Sequence, residues 1–148
     1  PATTAGYLRA RRATWDGRLR AYDAAVATTR ALARGRTYGT TEPVFDDMAR
    51  AVGLGDATPT GYRRAALNES DPAPADVAAF ERSLRAGAMS VLIVNRQTES
   101  PTADELSRLA GVTHVPVVGV TETVPDRAGG FVDWQVAQLR ALARALRP

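Results

Sequence analysis

Val91-Leu92-Ile93-Val94 is an unbroken apolar run set between Ser90 and Asn95. A strand with one face in water alternates apolar and polar residues, whereas a strand covered on both faces has no such need. The run predicts a strand over residues 90–94 in the interior of a parallel sheet, with helices on either side. Two β-branched runs share its character, at 36–41 and 115–120. Each carries a Glu just past its last strand residues: Thr41-Glu42-Pro43 and Thr121-Glu122-Thr123.

Outside these runs the apolar residues take helical spacing. Over residues 5–34, Leu8, Trp15, Leu19, Tyr22, Val26 and Thr29 fall at steps of three, four and once seven, which makes one stripe on a long helix. Thirty residues at the helical rise span roughly 45 Å. A domain of this size does not need that length, so part of the stripe is free to pack against something outside the chain. Gly35 suits the end of this helix. Pro43 opens a second helix whose inner face is Val44, Phe45, Met48 and Val52, with Thr41 or Glu42 as its cap and Gly53 as its stop. Residues 53–74 read as irregular, with a short helical turn over 62–67. A helix over 74–86 buries Val77, Phe80 and Leu84. Ser100 and Pro101 start another, with Leu106 and Leu109 inward. A last helix over 131–146 buries Trp134, Leu139, Leu142 and Leu146, and Trp15 is likewise read as core.

The order predicts an α/β fold: a small, mostly parallel sheet of about four strands with helices on both faces, preceded by a long N-terminal helix. The 148 residues suffice for one such core. The absence of Cys excludes thiolate metal sites and Cys nucleophiles. No apolar run approaches membrane-spanning length. All 19 basic residues are Arg, which with abundant Ala reflects codon usage. Arg9, Arg11, Arg12, Arg18 and Arg20 read as a solvated helix face, and no nucleic-acid partner is expected.

In an open parallel sheet, ligands bind beyond the carboxyl ends of the strands. Three polar runs lie there: Thr41-Glu42, Asn95-Arg96-Gln97-Thr98 and Thr121-Glu122-Thr123. Two carboxylates brought together repel unless a cation lies between them or one takes a proton. They could therefore hold a metal or act as an acid–base pair in a small α/β enzyme. Glu42 has a third reading, as a carboxylate stabilised at the start of the Pro43 helix. His114, the only His, falls in a turn at the opposite end of the sheet. No Gly-x-Ser-x-Gly element is present, and Gly53-Leu54-Gly55 with Gly61 lacks the strand and spacing of a dinucleotide loop.

The run from Tyr38 to Ala49 (Tyr-Gly-Thr-Thr-Glu-Pro-Val-Phe-Asp-Asp-Met-Ala), with Val52-Gly53-Leu54 after it, resembles the start of the C-terminal lobe of the zinc/manganese ABC-transporter solute-binding proteins. So do the run from Asp71 to Phe80 (Asp-Pro-Ala-Pro-Ala-Asp-Val-Ala-Ala-Phe), Val117-Val118-Gly119-Val120-Thr121-Glu122-Thr123 and the closing Trp134-Gln135-Val136-Ala137-Gln138-Leu139. The resemblance implies a backbone helix joining two lobes over residues 1–35 and a C-terminal lobe over 36–148. It implies no catalysis but a Zn(II) or Mn(II) ion held between lobes and passed to ABC permease subunits in the membrane. The location it implies is extracytoplasmic, as a cell-surface lipoprotein or a periplasmic protein, with the signal not in this chain. Its metal ligands fall on Glu42 and Glu122. Asn95 takes a supporting place beside them. The N-terminal lobe, which supplies two His in the family, lies outside this chain. Two carboxylates and a water make a poor zinc or manganese site, so the chain alone is expected to hold metal weakly or not at all. Apolar helix surface left bare by the other lobe could pair two copies in a homodimer.

Overall fold

A computed structural model of the chain describes residues 4–147. Helix α1, Thr4–Ala33, is 30 residues long. It ends at Gly35, whose φ of +69° suits a residue without a Cβ. Strand β1, Thr37–Thr40, leads to a 3₁₀ turn at Pro43–Phe45 and then to α2, Asp46–Ala51. Next come β2, Gly55–Asp56, α3, Thr60–Leu67, and α4, Pro74–Arg85. Strand β3, Val91–Asn95, helix α5, Pro101–Val112, strand β4, Val117–Val120, and helix α6, Phe131–Ala145, complete the chain.

The strands form one all-parallel sheet in the order β2-β1-β3-β4. The sheet and its two helical layers are as expected from the sequence. Every residue of β3 is buried. Val91 and Ile93 join one core with Tyr38, Phe45, Val118, Leu139, Leu142 and Leu146. Leu92 and Val94 join the other, with Tyr62, Phe80, Leu84 and Leu106. Each such side chain taken from water contributes on the order of 2 kcal/mol.

Several local expectations are corrected. Strand β2 lies in the segment read as irregular, and α3 begins two residues before the expected turn. Strand β3 includes Asn95 and omits Ser90, while β4 starts at Val117 and not at 115. Neither Thr41 nor Glu42 caps the Pro43 turn: the Glu42 side chain makes no cap hydrogen bond, and the Thr41 hydroxyl is buried without a partner. Val44, Met48, Val77 and Leu109 face inward as expected and pack against the cores, though each is half-buried and not fully enclosed.

The stripe on α1 divides into two parts. Thr29 is fully buried and donates to the carbonyls of Ala25 and Leu139. Tyr22 and Val26 are half-buried against the same core. Upstream, Leu8 is 58% and Trp15 50% exposed. Helix α1 packs chiefly on α6, and the start of α6 reaches it at Arg18, which donates to the Gly129 carbonyl and lies 3.9 Å from Asp133. The first turns of α1 extend past that contact. Trp15 is thus not a core residue, and Trp134 is half-buried with its ring nitrogen committed to a hydrogen bond.

Candidate functional site

Adjacent parallel strands deliver the three polar runs to one edge of the sheet. Strand β1 ends at Thr40, β3 at Asn95 and β4 at Val120, and β3 stands between the other two. The exits of β1 and β4 are therefore two strand spacings apart, roughly 10 Å. The ladders continue one residue past the strands, with Thr41 N–H on the Ile93 carbonyl and Arg96 N–H on that of Val120. This extension sets where the following side chains begin.

Glu42 is half-buried. Its Oε2 accepts from Asn95 Nδ2 at 2.8 Å and from Thr98 Oγ1 at 3.3 Å. Among the described residues Oε1 has no hydrogen-bond donor. Held on one oxygen, the carboxylate keeps the other uncommitted within the described residues. Pro43 follows at the first position of the turn and brings no N–H. The preceding segment is stitched locally, with the Thr40 hydroxyl donating to the Glu42 carbonyl and the Thr40 amide donating to Thr58 Oγ1. Tyr62 of α3 lies within reach of this charge. Burial first, and the negative charge of Glu42 second, push its hydroxyl up to about 12.

Asn95 is buried at the last position of β3. Its Nδ2 also lies 3.1 Å from Thr98 Oγ1, and its Oδ1 accepts from the Gln97 amide at 3.0 Å. The Gln97 side chain then crosses to the exit of β4. Its Oε1 accepts from the amides of Glu122 at 2.7 Å and Thr123 at 3.0 Å, and its Nε2 donates to Thr123 Oγ1 at 2.6 Å. On the other side the β4 exit is tied to α6. Buried Gln138 accepts from the Thr121 amide, and Trp134 Nε1 donates to Thr121 Oγ1 at 2.9 Å. The Glu122 side chain itself is exposed.

The structure therefore brings Glu42 and Asn95 into direct contact and links them to the Glu122 backbone through Gln97. Among the described residues, no three His, Cys, Asp or Glu side chains lie close enough to hold a metal ion. His114 is exposed with φ +59°, in the turn between α5 and β4, away from this edge. Gln97 and Thr98 were legible only as part of a polar loop, and nothing in their spacing assigned them separate roles. Tyr62 and Gln138 gave no signal, being one apolar and one polar residue on helices far along the chain.

A second polar group, absent from the sequence reading, lies under the β1 exit. Asp46, at the start of α2, is 6% exposed. It accepts from Tyr38 Oη at 3.0 Å and from Arg63 Nη2 at 2.5 Å, while Arg63 Nη1 lies 2.9 Å from Asp56 Oδ2. Burial, followed by the charge of Asp46 and its hydrogen bond, raises the Tyr38 hydroxyl well above its ordinary range. The hydrogen bond to Asp46 likewise raises the Arg63 guanidinium. This cluster joins β1, α2, β2 and α3 immediately behind the Glu42 segment.

Three comparisons bear on the identity of the chain. A family model described as ZnuA, zinc-uptake complex component A, periplasmic, matches residues 2–145. No curated protein sequence matches significantly. Among solved structures, the periplasmic zinc binding protein TroA of Treponema pallidum is similar with a TM-score of 0.67 at 17% identity, covering 100% of this chain and 55% of that one. The SBP FpvC of Pseudomonas aeruginosa in complex with Mn2+ gives 0.63 at 21%, with 99% and 53% covered. The laminin-binding protein Lbp of Streptococcus pyogenes gives 0.64 at 16%, with 97% and 53% covered. At these identities the likeness is one of fold. The chain spans about half the length of each of these structures.

Proposed function

The chain belongs to the family of periplasmic zinc-uptake component A, and on that premise we propose that it forms the C-terminal lobe of a metal receptor. In this reading residues 1–35 are the helix between lobes and 36–148 the lobe itself. A second lobe covers the strand-end edge and the bare first turns of α1. The cargo is Zn(II) or Mn(II), held between the lobes and passed to an ABC permease outside the cytoplasm.

The observation that carries the proposal is the hydrogen-bonded path from the Glu42 carboxylate through Asn95 and Gln97 to the Glu122 main chain. A metal-binding carboxylate needs partners that orient it without consuming all its lone pairs. Asn95 and Thr98 hold one Glu42 oxygen and, among the described residues, leave the other without a donor. Two carboxylates do not fill a zinc or manganese shell, which takes four or more donors. The remaining ligands come, in this proposal, from the second lobe. Glu122 on an open edge suits such a shared site better than an enclosed acid–base pocket.

The test is calorimetric titration of Zn(II) and of Mn(II) into the full-length protein and its Glu42→Ala and Glu122→Ala variants. Each variant is expected to lose at least about tenfold in affinity, equivalent to roughly 1.4 kcal/mol. Unchanged affinity in both would refute the assignment.

A further inference from the structure

We propose that Gln97 is a positioning residue for this site, a clasp that sets the Glu122 segment against the Glu42 segment. The inference rests on the proposed metal site and adds to it a side chain that touches neither carboxylate.

Gln97 is exposed, and an exposed glutamine ordinarily moves freely and contributes little. Here its side-chain amide makes three hydrogen bonds to two consecutive residues of one segment. The Oε1 atom has two lone pairs, and two consecutive amides, Glu122 and Thr123, fill them at 2.7 and 3.0 Å. The Nε2 donates to Thr123 Oγ1 at 2.6 Å. The Gln97 backbone is fixed at the same time, because its amide donates to Asn95 Oδ1, and that carboxamide donates to Glu42 Oε2. One residue thus bonds the Glu122 segment directly through its side chain and reaches Glu42 through Asn95, which its main-chain amide holds.

The other anchors of the β4 exit act differently. Gln138 and Trp134 hold Thr121 toward α6. They fix the segment to its own helix but give it no register against β1. Among the described residues only Gln97 connects Glu122 to the side where Glu42 sits. Without it, Glu122 begins from a backbone whose amides face water. Ordering that backbone must then be done at the moment of metal binding, which weakens the affinity.

The test uses Zn(II) and Mn(II) titrations of the full-length protein carrying Gln97→Ala or Gln97→Met, the latter keeping length while removing every donor and acceptor. Loss of one to two ordinary hydrogen bonds' worth of ordering predicts affinity lower by a factor of about 5 to 30. The amides of Glu122 and Thr123 should exchange with solvent faster, while the denaturation midpoint stays in place. In a Glu122→Ala background, Gln97→Met should cost nothing further, since the side chain it positions is gone. If the Gln97 variants bind as the parent does while Glu42→Ala and Glu122→Ala fail, the clasp is overturned and the metal site stands. A Gln97→Met loss that persists undiminished in the Glu122→Ala background also overturns it. If none of the four substitutions changes affinity, the proposed site falls and the clasp with it.

Discussion

The buried cluster behind Glu42 can be tested by Arg63→Met, which keeps most of the aliphatic stem and removes the charge. Arg63 is a quarter exposed along its side chain and Asp46 only 8%. Removing it leaves the Asp46 carboxylate with Tyr38 Oη as its remaining partner. Orphaning one member of a buried pair costs about 3–5 kcal/mol. The exposure of Arg63 lowers that figure, since water already reaches part of the pair. The expected loss at pH 7 is therefore about 2–4 kcal/mol, a large part of a domain's total of roughly 5–15 kcal/mol. Urea denaturation of parent and variant at pH 7 measures the loss. Adding Asp46→Asn should restore most of the loss, because a neutral amide can still accept from Tyr38. A penalty below about 1 kcal/mol, or one that Asp46→Asn leaves undiminished, would refute the claim that an uncompensated buried charge is the cause.

Two further perturbations follow from the packing and from the buried tyrosines. A Cβ at Gly39 would overlap the Met89 sulfur and come within 3.1 Å of Phe80 Cζ, both buried. Gly39→Val should therefore cost about 1–3 kcal/mol in chemical denaturation as an overpacked core, and Gly39→Ala less, with Met89→Ala recovering part of it. The raised hydroxyl of Tyr62, about 12 against an ordinary 10.0, makes the fold lose stability in alkali. Its contribution is complete below pH 10 and disappears as pH rises toward 12, because the unfolded chain gives up the proton first. The slope is about 1.4 kcal/mol per pH unit for one such group. Tyr62→Phe should flatten that part of the alkaline denaturation curve, and an unchanged slope would count against it.

The sheet was legible because its central strand announces burial on both faces, and no alternative element accommodates Val91 to Val94 so simply. Strand β2 was not, for a physical reason. It is two residues, Gly55 and Asp56, both exposed, held by main-chain bonds from Gly55 to Arg36 and from Ala57 to Tyr38. Backbone pairing of that kind leaves no side-chain pattern. Trp15 misled for the opposite reason. Its spacing matches Tyr22 and Val26, but periodicity reports which face a residue is on, not whether a neighbour extends that far. Asp46 was hidden by its company: two acidic residues at the start of a helix have a sufficient explanation in the helix dipole. Its true partners, Tyr38 and Arg63, lie 8 and 17 positions away.

The three readings of Glu42 part company on where its side chain goes. A carboxylate that served the helix would accept from amides of the first turn, yet none reaches it. It turns instead across β1's neighbour, to a buried Asn and a Thr at the exit of β3. Burying an amide such as Asn95 is costly unless its donors and acceptors are met. Here they are met by Glu42 and Thr98 on one side and the Gln97 amide on the other. The Asn and the Glu thus explain one another. Glu42 stays near-surface because Asn95 holds it, and Asn95 can lie inside because Glu42 accepts a hydrogen bond from its amide. What this pair leaves unexplained is the second Glu42 oxygen, which has no donor among the described residues. A carboxylate held through one oxygen at the strand-end edge to which Gln97 draws the Glu122 segment is the feature that a cation shared with a second lobe would account for.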